Sequence, residues 1–139
     1  MEVQIKSEDH RKTLLIIDNN PTIVELIKYA INVEGTYQVM VAYDGVQGLE
    51  VIDRSHPDCV IADVRMPRMD GYQLVRALRS NPRTEHVPIV LLGAMIHQED
   101  QMQGLLAGAD EYLMKPFRPT ALHAAIERAM SKRRLSGER

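Results

Sequence analysis

The sequence predicts a doubly wound α/β domain with five parallel strands alternating with five helices. Three observations carry that expectation. Short, nearly continuous apolar runs recur along the 139-residue chain, the pattern of strands covered on both faces. Segments with apolar residues at helical spacing lie between these runs. The runs end on Asp, Asn or Lys at several points, although they are themselves apolar. Regular alternation of strand and helix gives a parallel sheet flanked by helices. Right-handed crossovers then place every strand's C-terminal end on one edge.

Residues 1–12 are polar and mixed in charge, and read as a flexible leader. Residues 13–17 form the first strand. Pro21 opens the first helix, where its lack of an N–H is harmless, and Ile23, Leu26, Ile27, Ala30 and Ile31 share one face. Residues 37–42 are the second strand. Gly45, Gly48, Leu49 and Ile52 fit a second helix that closes near Ser55-His56-Pro57. Residues 58–62 are the third strand, ending at Asp63. Leu74, Val75 and Leu78 mark the third helix, which Asn81-Pro82 terminates.

Residues 87–92, the most strongly apolar segment, are the fourth strand. A weaker helix follows over about 98–107, broken by Gly104 and Gly108. Residues 111–114 are a short fifth strand. The last helix starts near Pro119, with Leu122, Ala125, Ile126 and Ala129 on one face. It runs out through Lys132, Arg133 and Arg134, whose charges suit the negative end of the helix dipole. The domain is expected to occupy residues 13–131, with residues 132–139 as a basic tail.

An apolar content of 45% suits one domain with its own core. The net charge of −2 and pI near 6.2 give no overall basic footprint for nucleic acid. Aromatics at 4% and the absence of Trp argue against platforms for stacking single strands. There is no signal-peptide core and no apolar stretch of membrane-spanning length, so the expectation is a soluble, cytoplasmic domain without a membrane partner. Cys59, alone, cannot close an internal disulfide and reads as a buried thiol. His10, His56, His86, His97 and His123 lack metal-ligand spacing. The eight Met residues read as core and gap filling, apart from Met66 in the loop after the third strand.

The chemistry gathers at the strand ends. Asp63 taken alone reads as a turn or capping aspartate. Asp18-Asn19 after the first strand and Lys115 after the fifth fall on the same predicted edge, where open α/β sheets place their sites. Two carboxylates and an amide make a hard oxygen site suited to Mg²⁺, which takes about six oxygen ligands and keeps several waters. Asp18 and Asp63 would supply charge, Asn19 an amide oxygen, and a backbone carbonyl after Asp63 a further ligand. Lys115, taken alone a solvated lysine, there becomes a point charge for a phosphate. A carboxylate beside a metal and a lysine is suited to attack phosphorus and form an acyl phosphate.

Four stretches, in order, resemble the receiver domain of bacterial response regulators over roughly residues 13–131. They are Leu14-Leu15-Ile16-Ile17-Asp18-Asn19-Asn20-Pro21, Asp63-Val64-Arg65-Met66-Pro67 with Asp70-Gly71, Pro88-Ile89-Val90-Leu91-Leu92-Gly93-Ala94, and Gly108-Ala109-Asp110-Glu111-Tyr112-Leu113-Met114-Lys115-Pro116-Phe117. The resemblance implies a flavodoxin-like sheet of order 2-1-3-4-5. It implies that Asp63 accepts a phosphoryl group from a sensor histidine kinase or phosphotransfer protein in a Mg²⁺-dependent phosphorelay. Asp18 matches the first residue of the family's acidic pair, and the backbone carbonyl of Arg65 a metal ligand. Lys115 matches the phosphoryl-contacting lysine, and Lys115-Pro116 a bond that is typically cis. Tyr112 matches an aromatic that moves between exposed and inward rotamers, its plainer reading being a half-buried strand tyrosine. Such domains are switches rather than metabolic enzymes, and residues 98–131 would cover their usual surface for homodimers or effectors.

Two positions depart from the family pattern. Asn19 stands where a second acidic residue is usual, which is expected to weaken Mg²⁺ binding. Gly93 stands where the family has Thr or Ser, whose hydroxyl hydrogen-bonds the phosphoryl group; backbone N–H groups near Arg65 and Ala94 remain to hold phosphoryl oxygens. The alternative function is therefore a degenerate receiver, an interaction module indifferent to phosphate.

Overall fold

Leu14-Leu15-Ile16-Ile17 leave no polar face for a strand to turn toward water, and all four are fully buried. They belong to β1 (Lys12–Ile17), which pairs in parallel with β2 (Tyr37–Ala42) on one side and β3 (Cys59–Asp63) on the other. The computed structural model describes residues 11–33, 36–94 and 98–137. Most of the expected leader, the last two residues of the expected tail, His10 and His97 lie outside the described residues. β4 (Ile89–Ala94) and β5 (Glu111–Lys115) complete a five-stranded sheet of order β2-β1-β3-β4-β5, parallel throughout.

Strand periodicity sorts the core into two layers. Leu14, Ile16, Cys59, Ile61, Val90 and Leu92 pack beneath α1 (Pro21–Asn32) and α5 (Pro119–Gly137). Leu15, Ile17, Val60, Ala62, Ile89 and Leu91 face the opposite side, with α2 (Gly45–Ser55), α3 (Gly71–Arg79) and α4 (Gln98–Ala107). Helix starts are set locally. Asn20 caps α1 by accepting from Thr22 N at 2.9 Å, with Pro21 following. Asp70 and Gln73 make a reciprocal capping box on α3. Caps of this kind are each worth about 1 kcal/mol.

Several element limits differ from expectation, each for a physical reason. β1 begins at Lys12, which pairs with Tyr37. Asp58 precedes β3, because its carboxylate turns back to accept from Thr13 N at 2.7 Å and Thr13 Oγ1 at 3.2 Å. β4 begins after Pro88 and continues to Ala94, and β5 continues to Lys115. Gly104 does not break α4; it lies inside the helix, where a Cβ would sit 3.2 Å from Leu91 Cδ1. Gly108 does end it, at φ +118°, a conformation side chains disfavour. Met66 is core, 8% exposed, despite its loop position.

Lys132, Arg133 and Arg134 lie within α5, as the helix pattern predicts, and the helix runs on to Gly137. Arg133 Nε donates to Asp110 Oδ1 at 2.6 Å, and Lys132 Nζ to Asp110 O at 2.7 Å. Asp110, 6% exposed, also accepts from Arg79 at 2.9 Å and Ile89 N at 2.8 Å. Burial lowers the Arg79 pKa to about 10, although Asp110 works against it. This network clamps the start of β5 to α3, β4 and α5, at the end of the sheet away from the strand-end carboxylates.

Candidate active site

Asp63 is the last residue of β3, in register with Leu92, and Val64 N donates to Leu92 O at 2.9 Å. The ladder therefore fixes the backbone on either side of the Asp63 side chain. That side chain is nearly buried, and Lys115 Nζ donates to its Oδ1 at 2.7 Å. Lys115 closes β5 and is followed by a cis bond to Pro116, as the resemblance implied.

Asp18 follows β1 and is 2% exposed. Its backbone N–H donates to Ala42 O at 3.1 Å, holding it against β2. Its Oδ1 accepts from Asn20 N at 2.9 Å, while its buried Oδ2 has no hydrogen-bond partner. Burial pushes the Asp18 pKa up; the Asn20 N–H opposes this, the Asp63 charge reinforces it, and Lys115 opposes it again. A buried carboxylate oxygen without a partner is costly, and a cation would remove that cost.

The chain's donors fit a hard cation. Among the described residues no three His, Cys, Asp or Glu side chains gather as in a closed metal site. Two carboxylates, one with an orphaned oxygen, suit Mg²⁺, which keeps waters and takes only one or two protein carboxylates. Asn19 is solvent-exposed beside them, and Arg65 is exposed just after Asp63.

A groove of about 680 Å³ opens beside this pair. Asp63, Arg65 and Lys115 line one end, and Ile23, Leu26 and Phe117 are among its apolar walls. Gly93 is buried on β4, and Tyr112 on β5 is turned inward with its hydroxyl against Gly93. The fold thus brings Asp18, Asp63 and Lys115 to one edge, with Asn19, Arg65 and Gly93 around them.

Asn20 was missed as a site residue, yet its N–H holds Asp18 while its side chain caps α1. Asn before Pro at a helix start is a readable signal for the cap, though not for the contact with Asp18. The Asp110 clamp had no local signal: Arg79 lies 31 residues away and Arg133 23.

A five-stranded parallel sheet with an acidic pocket and a lysine at its carboxyl edge defines a receiver-type fold. The response regulator receiver domain family matches residues 14–127, and this chain belongs to it. The response regulator GtcR of Aneurinibacillus migulanus is 39% identical over 117 residues, covering 84% of this chain and 46% of that protein. A crystal structure of a protein assigned as a response regulator in Chloroflexus aurantiacus shares 35% identity at a TM-score of 0.83, covering 87% of this chain and 98% of that one. The receiver domain of a sensor histidine kinase from Pseudomonas aeruginosa, solved with a magnesium ion in its active-site cleft, shares 30% identity at a TM-score of 0.78, covering 87% of this chain and 98% of that one. The chain spans about half the length of most curated relatives it matches. Its place is in two-component signalling. Among the described residues, no helix is long and apolar enough to cross a membrane.

Proposed function

We propose that this domain, residues 13–131, accepts a phosphoryl group on Asp63 from a phosphohistidine of a sensor kinase or phosphotransfer protein. The observation that carries the reading is the Lys115–Asp63 contact of 2.7 Å beside the buried, unpartnered Asp18 Oδ2. A carboxylate oxygen of Asp63 attacks phosphorus, the P–O bond forms as the donor P–N bond breaks, and water later hydrolyses the acyl phosphate. Lys115 offsets charge on the transferred group. Asp18, Asp63 and the backbone carbonyl of Arg65 would hold Mg²⁺, with Asn19 contributing an amide oxygen in place of a charge and lowering affinity. Bound there, the metal supplies positive charge to phosphoryl oxygens.

Gly93 supplies no hydroxyl, so backbone N–H groups near Arg65 and Ala94 hold the phosphoryl oxygens. The apolar groove beside Asp63 and α1 suits a helical donor, and exposed Met102, Leu105, Leu106 and Met114 within 98–131 suit a homodimer or effector contact. The domain acts as a cytoplasmic switch rather than a metabolic enzyme. Incubation with Mg²⁺ and a small phosphodonor, read by intact mass, tests the reading. Wild type should gain one phosphoryl group and Asp63→Asn none. No gain in wild type, even with the cognate kinase, would favour the phosphate-independent interaction module.

A further inference from the structure

The ring of Tyr112 is seated between two glycines. On the sheet side, a Cβ at Gly93 would overlap the Tyr112 hydroxyl and come within 2.6 Å of Cζ. On the helix side, a Cβ at Gly104 would come within 2.9 Å of Cδ2 and 3.4 Å of Cε2. Bare backbone forms both walls of the slot.

The two walls make different demands. Cζ and the hydroxyl lie on the χ2 axis of the tyrosine, so turning the ring in place moves neither. Only a change of χ1, to a different staggered well, clears a side chain at 93. Cδ2 and Cε2 lie off that axis, and a ring turn can relieve modest growth at 104. Gly93 is therefore the position that lets the ring stay.

Among the described residues, nothing in the packing drives the ring out. Tyr112 pairs with Leu91 and packs on the layer that contains Leu91 and Ala107. Leaving would expose aromatic surface and vacate a space beneath α4, and both changes are unfavourable. Met102, Leu105 and Leu106 of α4 and Met114 of β5 are exposed apolar residues of the same two elements.

We infer that Gly93 keeps Tyr112 seated whatever the state of Asp63, so that the α4–β5 surface has one shape before and after phosphorylation. The seating follows from packing alone; the comparison of states rests on Asp63 as acceptor. NMR of ¹³C-labelled tyrosine, with and without Mg²⁺ and beryllium fluoride as phosphoryl mimic, tests both parts. In wild type the Tyr112 ring contacts to Leu91 and Gly104 should be present and unchanged by the mimic, while amides of residues 64–66 shift. Gly93→Thr should abolish those ring contacts without any mimic, and Gly104→Ala should retain them. If β1 and β3 amides show the Thr variant to be unfolded, Gly93→Ala carries the same expectation. Ring contacts that strengthen on adding the mimic, or that survive both substitutions at 93, would overturn the inference. Silent amides at 64–66 would overturn the acceptor reading instead, and the glycine variants would still decide the seating.

Discussion

Lys115 and Asp63 meet at 2.7 Å although their strands are not neighbours; β4 lies between β3 and β5. The lysine stem, the hydrogen bond and the Asp63 side chain together bridge two strand spacings, roughly 10 Å, across the end of β4, where Gly93 and Ala94 register with Met114 and Lys115. A shorter cation at 115 could not make this contact.

Replacing Lys115 by Met keeps the stem and removes the charge. A hydrogen bond to a charged group is worth about 1.5–3 kcal/mol, and the lysine is 29% exposed, so the lower end applies. The single-turnover rate of phosphoryl uptake should fall by about 10-fold. A change under about twofold would remove Lys115 from the mechanism.

Asp18 should make the metal-free protein less stable as pH rises. Its pKa is raised, first by burial, so its contribution is complete below the usual carboxylate range and is lost as pH climbs through the raised value. In metal-free buffer, the melting temperature of Asp18→Asn should match wild type in acid and exceed it near pH 7. Mg²⁺ at ten times its Kd should stabilise wild type by about 1.4 kcal/mol, or about 3–6 °C, and leave Asp18→Asn unmoved. Equal Mg²⁺ responses in the two proteins would place the metal elsewhere.

Asn19→Asp should tighten Mg²⁺ binding by about tenfold, because it adds a carboxylate to a site whose affinity follows ligand charge. Calorimetric titration measures this, and indistinguishable affinities would mean that position 19 does not face the metal.

The opposite end of the sheet titrates in the opposite sense. Burial works against ionised Glu111, but its hydrogen bonds from Arg128 and Lys132 prevail and hold its pKa below the usual range. That contribution is present above the ordinary carboxylate pKa and is lost as pH falls through the depressed value. Glu111→Gln should therefore be less stable than wild type at pH 7 and nearly equal in strong acid, by urea unfolding. Asp110→Ala is the harsher change, since it leaves the buried Arg79 guanidinium with backbone carbonyls but no carboxylate, and about 3–5 kcal/mol should be lost. A loss below 1 kcal/mol would show that water replaces the carboxylate.

The sheet was legible because strands buried on both faces are written as apolar runs, and the site because polar residues interrupt those runs at their ends. Asp18, Asp63 and Lys115 could be gathered from topology alone. The limit at Asp58 and the Asp110 clamp could not, because each is set by partners distant in sequence, Thr13 for one and Arg79 and Arg133 for the other. Gly104 shows the same limit. From the sequence it is a helix breaker; in the fold it is half of a slot whose other half, Gly93, lies on another element.

The most direct measurement concerns the covalent bond itself. After exposure to Mg²⁺ and a small phosphodonor, borohydride reduction converts an aspartyl phosphate to homoserine, and peptide mass spectrometry locates it. Homoserine at position 63, dependent on Mg²⁺ and missing from Asp63→Asn, is the expected result. Homoserine at Asp18 or any other carboxylate, or at none, would contradict Asp63 as the phosphoacceptor.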